Sequence, residues 1–130
     1  MIQQRKKDFL QRLIEEFFSK FNELVNGTPF ENQDERKELL NKALIFFSEN
    51  FNVKQTDGLE SLTEKIGDID LLQQYAKLLL IKHDIIDIKD VNQLHTALGI
   101  IEYLEAADKT YSWERTTLRE DLLRILDEND

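Results

Sequence analysis

Apolar residues recur along this chain at helical spacing, and the recurrence predicts six helices. The first covers residues 2–26. Ile2, Phe9, Leu10, Leu13, Ile14, Phe17, Phe18, Phe21, Leu24 and Val25 repeat every three to four positions. At about 100° per residue they fill an arc of roughly 180°, wider than the stripe a surface helix usually buries. Asp8, Arg12, Glu15, Ser19, Asn22 and Glu23 occupy the opposite face. Gly27 is suited to the left-handed stop after a helix, and Pro29 prevents continuation.

Asn32 and Glu35 have the spacing of an N-cap and its capping-box partner. They introduce a second helix to about Asn50, with Leu39, Leu40, Ala43, Leu44, Phe46, Phe47 and Phe51 as its apolar face. Residues 52–58 are mostly polar and read as a linker. A short third helix follows, from about Leu59 to Ile66, with Asp57 or Thr56 as its cap and Gly67 as its end. Asp68 is placed to cap the fourth, about Ile69 to His83, which is apolar almost all round. A helix of that kind belongs at the centre of a core. Residues 83–90 read as an extended connection, because a lone short strand would lack a partner. The fifth helix is expected from Val91 to Lys109 and the sixth from Ser112 to Leu126.

The expectation is therefore an all-α fold in one domain, residues 1–130: a compact bundle or array of about six helices. One form it could take is a degenerate tetratricopeptide-like stack of hairpins. Leu98-Gly99 matches that repeat's Leu-Gly pair, but His95 and Glu102 stand where its aromatics belong. All eight phenylalanines lie at or before Phe51. This divides the chain into a Phe-rich helix pair, 2–51, packed on a helical body, 57–127.

Composition narrows the function classes. A chain of this length buries roughly two-thirds of its unfolded surface and needs no disulfide or metal to hold its core. It has no cysteine, which excludes thiol chemistry and fits a reducing compartment, so the cytoplasm is the expected location. With 26 acidic and 17 basic side chains the net charge is −9, which opposes nucleic-acid binding. Arg5-Lys6-Lys7 precedes no uninterrupted apolar stretch, so no secretory signal is expected, and acids and bases nearly balance along the first helix, so no membrane anchor is expected.

The chemical motifs fail one by one. His83-Asp84 is the pair that names the HD phosphohydrolases, yet no histidine precedes it to complete a metal site. Leu80 and Asn92 stand where a di-iron bundle needs glutamate three residues before His83 and His95. Glu15-Glu16 and Glu120-Asp121 lie on faces that read as solvated. Gly27, Gly58, Gly67 and Gly99 are isolated, so no phosphate-binding loop exists. Gly99, inside a helix, is expected to mark close helix packing, with ligand approach as the alternative. No catalytic, cofactor-binding or metal-ligating residue is assigned.

Asp8-Phe9-Leu10 and Arg12-Leu13-Ile14-Glu15-Glu16-Phe17-Phe18 resemble the start of a family of short bacterial helical proteins of unknown function. Ala97-Leu98 to Tyr103-Leu104, with the last helix, are similar to its C-terminal half. The resemblance covers about half the chain, in core-forming residues. It implies a bacterial cytoplasmic helical domain and carries over no functional residue.

The first helix's arc supplies the leading functional expectation. Its edges, marked by Phe9 with Ile2 on one side and Phe18 with Val25 on the other, would stay exposed if its centre packs on the second helix. Exposed apolar patches mark protein interfaces. Phe9, Phe18 and Val25 are thus the expected partner-binding residues of a non-enzymatic interaction module, its partner another protein or a second copy of the chain. The alternative is a small-ligand binder or enzyme with a pocket between helices, using Tyr75, His83, His95, Tyr103 or Trp113.

Overall fold

The computed structural model describes residues 4–26, 33–86 and 89–128. Among them are six α-helices and no strand: α1 (Gln4–Asn26), α2 (Gln33–Phe51), α3 (Leu59–Ile66), α4 (Ile69–Ile85), α5 (Val91–Ala107) and α6 (Trp113–Glu128). The all-α expectation holds, with every predicted helix present.

The helix ends show where local chemistry decides. Gly67 closes α3 in the left-handed region, φ 64°, and its N–H donates to the Thr63 carbonyl at 3.1 Å. Asp68 then caps α4, its Oδ1 accepting from the Leu71 N–H at 3.0 Å. α4 runs two residues past the expected His83, because Ile85 and the following Ile86 still pack on the core. α5 stops before Lys109, at Asp108, which turns extended. The expected cap of α3 is wrong. Gly58 takes that position without a side-chain bond. The Asp57 carboxylate instead accepts from the Lys54 N–H and the Lys65 ammonium, both at 2.8 Å. Those two donors hold it below the usual carboxylate range, the Lys65 bond contributing most. The predicted stop at Gly27-Pro29 and the Asn32–Glu35 capping box involve positions outside the described residues.

α4 is the axis of the molecule. It packs most extensively on α5, then on α2, and touches each of the other helices too. Leu71, Leu72, Tyr75, Ala76, Leu78, Leu79 and Leu80 are all buried on it, as an apolar circumference requires. Each such Leu contributes about 1.5–3 kcal/mol over an exposed one. α6 packs chiefly on α5, and α1 chiefly on α2. The phenylalanines of the first pair meet edge to face: Phe17 on Phe46 at 6.4 Å, Phe46 on Phe47 at 5.2 Å. Phe47, fully buried, then meets Tyr75 of α4 at 5.0 Å and ties α2 to the axis.

Gly99 does not mark an unusually close approach. A methyl group built there would meet only the Leu59 Cδ2 atom, at 3.5 Å, an ordinary contact. α3 and α5 do pack at this point, but with room for alanine.

Candidate functional site

The expected partner-binding residues of α1 separate. Phe9 is exposed, at 58 %. Phe18 is not: it is 6 % exposed, and the Lys77 ammonium of α4 lies 4.5 Å from its ring centroid. The α4 flank covers that edge, pinned at its start by Lys7 between Asp68 and Asp70 at 3.1 and 3.3 Å. The assumption that α1 packs on α2 alone fails for this reason, and Phe18 is withdrawn as a contact residue. The side chain of Val25, like Ile2, lies outside the described residues.

The polar set proposed for a shared pocket also disperses. Tyr75 is buried, His83 half-buried, and His95, Tyr103 and Trp113 are exposed. Tyr75 lines a recess with other polar groups. No cluster of three or more His, Asp or Glu side chains suited to a metal exists among the described residues. No helix among them is long and apolar enough to cross a membrane.

Two places combine exposure with built-in order. The first is the corner between α5 and α6. Tyr111 is 72 % exposed and Trp113 is 73 % exposed, the highest values among the large apolar and aromatic side chains described. The backbone that carries them is nevertheless fixed. Ser112 Oγ accepts from the Arg115 N–H at 3.1 Å and so caps α6. The Arg115 side chain is buried and reaches inward. Its Nε donates to Gln73 Oε1 at 3.0 Å and its second terminal nitrogen to Asp108 Oδ2 at 3.3 Å. The other Asp108 oxygen accepts from the Thr110 N–H at 3.0 Å. The Thr110 N–H above all, with the Arg115 guanidinium, holds the Asp108 carboxyl below its ordinary range. Ion pairs Lys77–Glu114 at 3.6 Å and Arg119–Glu105 at 3.2 Å lie on either side.

Sequence reasoning missed this corner, although two signals were present. Trp113 stands off the apolar phase of both flanking helices. Arg115 stands in phase with Leu118, Leu122 and Leu126, the buried stripe of α6. An arginine on a buried stripe needs partners.

The second place is a recess of about 290 Å³ between the 52–58 connection, α3, α4 and α5, with Tyr75 and Leu79 from α4 and Asp57, Asp90 and Gln93 on its wall. Its wall is held by a polar network. Lys82 donates to Gln55 Oε1 at 2.8 Å and to Gln93 Oε1, while Gln93 Nε2 donates back to Gln55 Oε1 at 2.9 Å. Lys65 closes the other end through the Asn52 carbonyl, at 3.0 Å, and Asp57. Burial pushes the Lys82 ammonium below its ordinary range.

No family model matches this chain, and neither a curated protein nor a solved structure matches it.

Proposed function

We propose that this chain is a non-enzymatic protein-interaction module whose contact surface is the α5–α6 corner. The observation that carries the reading is the exposure of nearly three-quarters of Tyr111 and Trp113 on a backbone held by Arg115. Tyr and Trp dominate the energetic centres of protein interfaces. Exposed rings on a fixed frame bind without the ordering cost of a loose loop. The flanking ion pairs supply the polar rim that such centres have. Phe9 of α1 remains a second exposed apolar contact. The resemblance noted in the sequence and the absence of cysteine favour a bacterial, cytoplasmic setting.

Trp113 is the only tryptophan of the chain, so its emission reports on this corner directly. On association the emission shifts to the blue. Solution mass by light scattering then separates a second copy from a different protein. A dimer that dissociates in Trp113→Glu supports self-association here. A photo-crosslinking Tyr111→p-benzoylphenylalanine variant tests for a different partner in cells, against the same group at the exposed Glu49 of α2. A monomer with unshifted emission, and no adduct specific to position 111, removes the reading.

The alternative of a small-ligand binder is favoured by the recess at Tyr75, which stands apart from the interaction surface.

A further inference from the structure

On the reading that the α5–α6 corner is a contact surface, we propose that its partner is a second copy of this chain. The two copies meet about a two-fold axis, and the Trp113 ring of each enters the recess beside Tyr111 of the other.

The corner carries both halves of such a contact. Trp113 is 73 % exposed and takes no part in lining the recess, although its neighbour Ser112 does, so its ring stands free at the recess's edge. The recess holds about 240 Å³ and runs from Glu105 on α5 to Thr116 on α6, with Tyr111 on its wall. That is below the roughly 300 Å³ at which small-ligand pockets begin, and on the scale of one aromatic side chain. A two-fold interface sets the same patch of both copies face to face, so a knob must find its hole within that one patch. The walls suit an indole. Glu105 uses Oε2 on Arg119 and keeps Oε1 for the indole N–H, a donor that buried tryptophans pair. Lys109 also lines the recess, exposed, where an ammonium over the ring adds cation–π attraction.

Charge favours the same place. Each chain carries −9, so two copies repel one another over an acidic surface. The corner is compensated. Arg115 meets Asp108, Arg119 meets Glu105 and Lys77 meets Glu114 within the chain, at 3.3, 3.2 and 3.6 Å. Lys109 is left over as a positive charge. A like-charged copy therefore meets little repulsion here. The Ser112 cap and the buried Arg115 already fix the backbone, so pairing costs little ordering. Two rings and one recess per copy fall short of the roughly 800 Å² per partner of a standard interface. The dimer is accordingly weak, with a dissociation constant of about 0.1–1 mM.

The test is sedimentation equilibrium from about 0.01 to about 1 mM protein, with Trp113 emission followed over the same range. Mass should rise toward that of a dimer while emission moves to the blue. Added salt should tighten the dimer severalfold, because it screens the repulsion between the two −9 chains. Trp113→Ala removes the knob and Thr116→Phe fills the hole. Each should weaken the dimer, read by mass, at least about tenfold. Mixed, the two variants retain one ring and one recess that fit each other, so they should pair more tightly than either does with itself. Thermal unfolding confirms that each variant folds, and Trp113→Ala decides alone if Thr116→Phe does not fold. A monomer throughout the range, growth past a dimer, or a dimer unaltered by the folded variants overturns the proposal. If that monomer still forms a position-111 adduct with a different protein, the second copy is excluded and the contact surface stands. A monomer without that adduct removes both.

Discussion

The molecule uses large aromatic side chains in two opposite ways. At the α1–α2–α4 junction Phe17, Phe46, Phe47 and Tyr75 close on one another, and the last three are buried. At the α5–α6 corner Tyr111 and Trp113 face solvent, and the buried group beneath them is an arginine. The first arrangement stabilises the fold through apolar area and ring contacts. The second holds a shape whose apolar area is left unburied. The difference shows that aromatic content alone does not locate an interface. Place on the helix does: rings within a helix's buried stripe are core, whereas Tyr111, ahead of α6, and Trp113, off its stripe, are surface.

The largest test of this contrast pairs one residue from each region. Phe47→Ala should lower unfolding free energy by about 3–5 kcal/mol, because it opens a cavity in a closed ring cluster. Trp113→Ala should change it by less than about 0.5 kcal/mol, as for other exposed positions. Urea denaturation of both variants measures the two values. A large loss at Trp113 would make the corner structural and erase the contrast.

Arg115→Met tests the frame beneath the corner. It leaves Gln73 Oε1 and Asp108 Oδ2 without their donor, at about 2 kcal/mol for the stranded, buried Gln73 oxygen. The amides of residues 110–112 should then exchange faster with solvent, while those of α2 should not. Uniform acceleration across the chain would mean that Arg115 serves global stability and not the local frame.

These contrasts show how far the sequence could be read. The six helices were legible because burial and helical period coincide, most clearly on α4, whose apolar circumference became the axis. Asp68 and Gly67 were legible because cap chemistry is local. Phe18 was misread because an arc of roughly 180° has two edges, and periodicity cannot say that α4 would cover one of them with Lys77. Asp57 was misread because Lys65, eight residues away, competes for its carboxylate. The α5–α6 corner was hidden because its order depends on Gln73, 42 positions from Arg115.

Gly99→Ala is a smaller test, of the assumption that a helical glycine marks tight packing. A methyl group at position 99 meets Leu59 at ordinary contact distance, and φ there lies outside the left-handed region. Alanine should therefore raise stability by about 0.5–1 kcal/mol, mostly through the unfolded chain. A higher thermal midpoint with unchanged spectra is the expected result. Destabilisation would show that α3 and α5 need the closer approach after all.

The smallest effect belongs to Asp57, and it depends on pH. Its folded pKa lies below the ordinary 3.8, chiefly through the bond from Lys65. A carboxylate lowered on folding adds stability that is fully present above its unfolded pKa. That contribution disappears as pH falls through the folded value. The Lys65 partner is 27 % exposed, so the pair is partly solvated and its worth lies in the range of surface ion pairs, about 0–1 kcal/mol. Asp57→Asn should accordingly flatten the loss of stability below about pH 4 and leave neutral-pH stability lower by no more than that amount. The comparison is chemical unfolding at pH 7 and at stepwise lower pH for both chains. An unchanged acid limb would show that Lys65 holds the 52–58 connection through the Asn52 carbonyl alone.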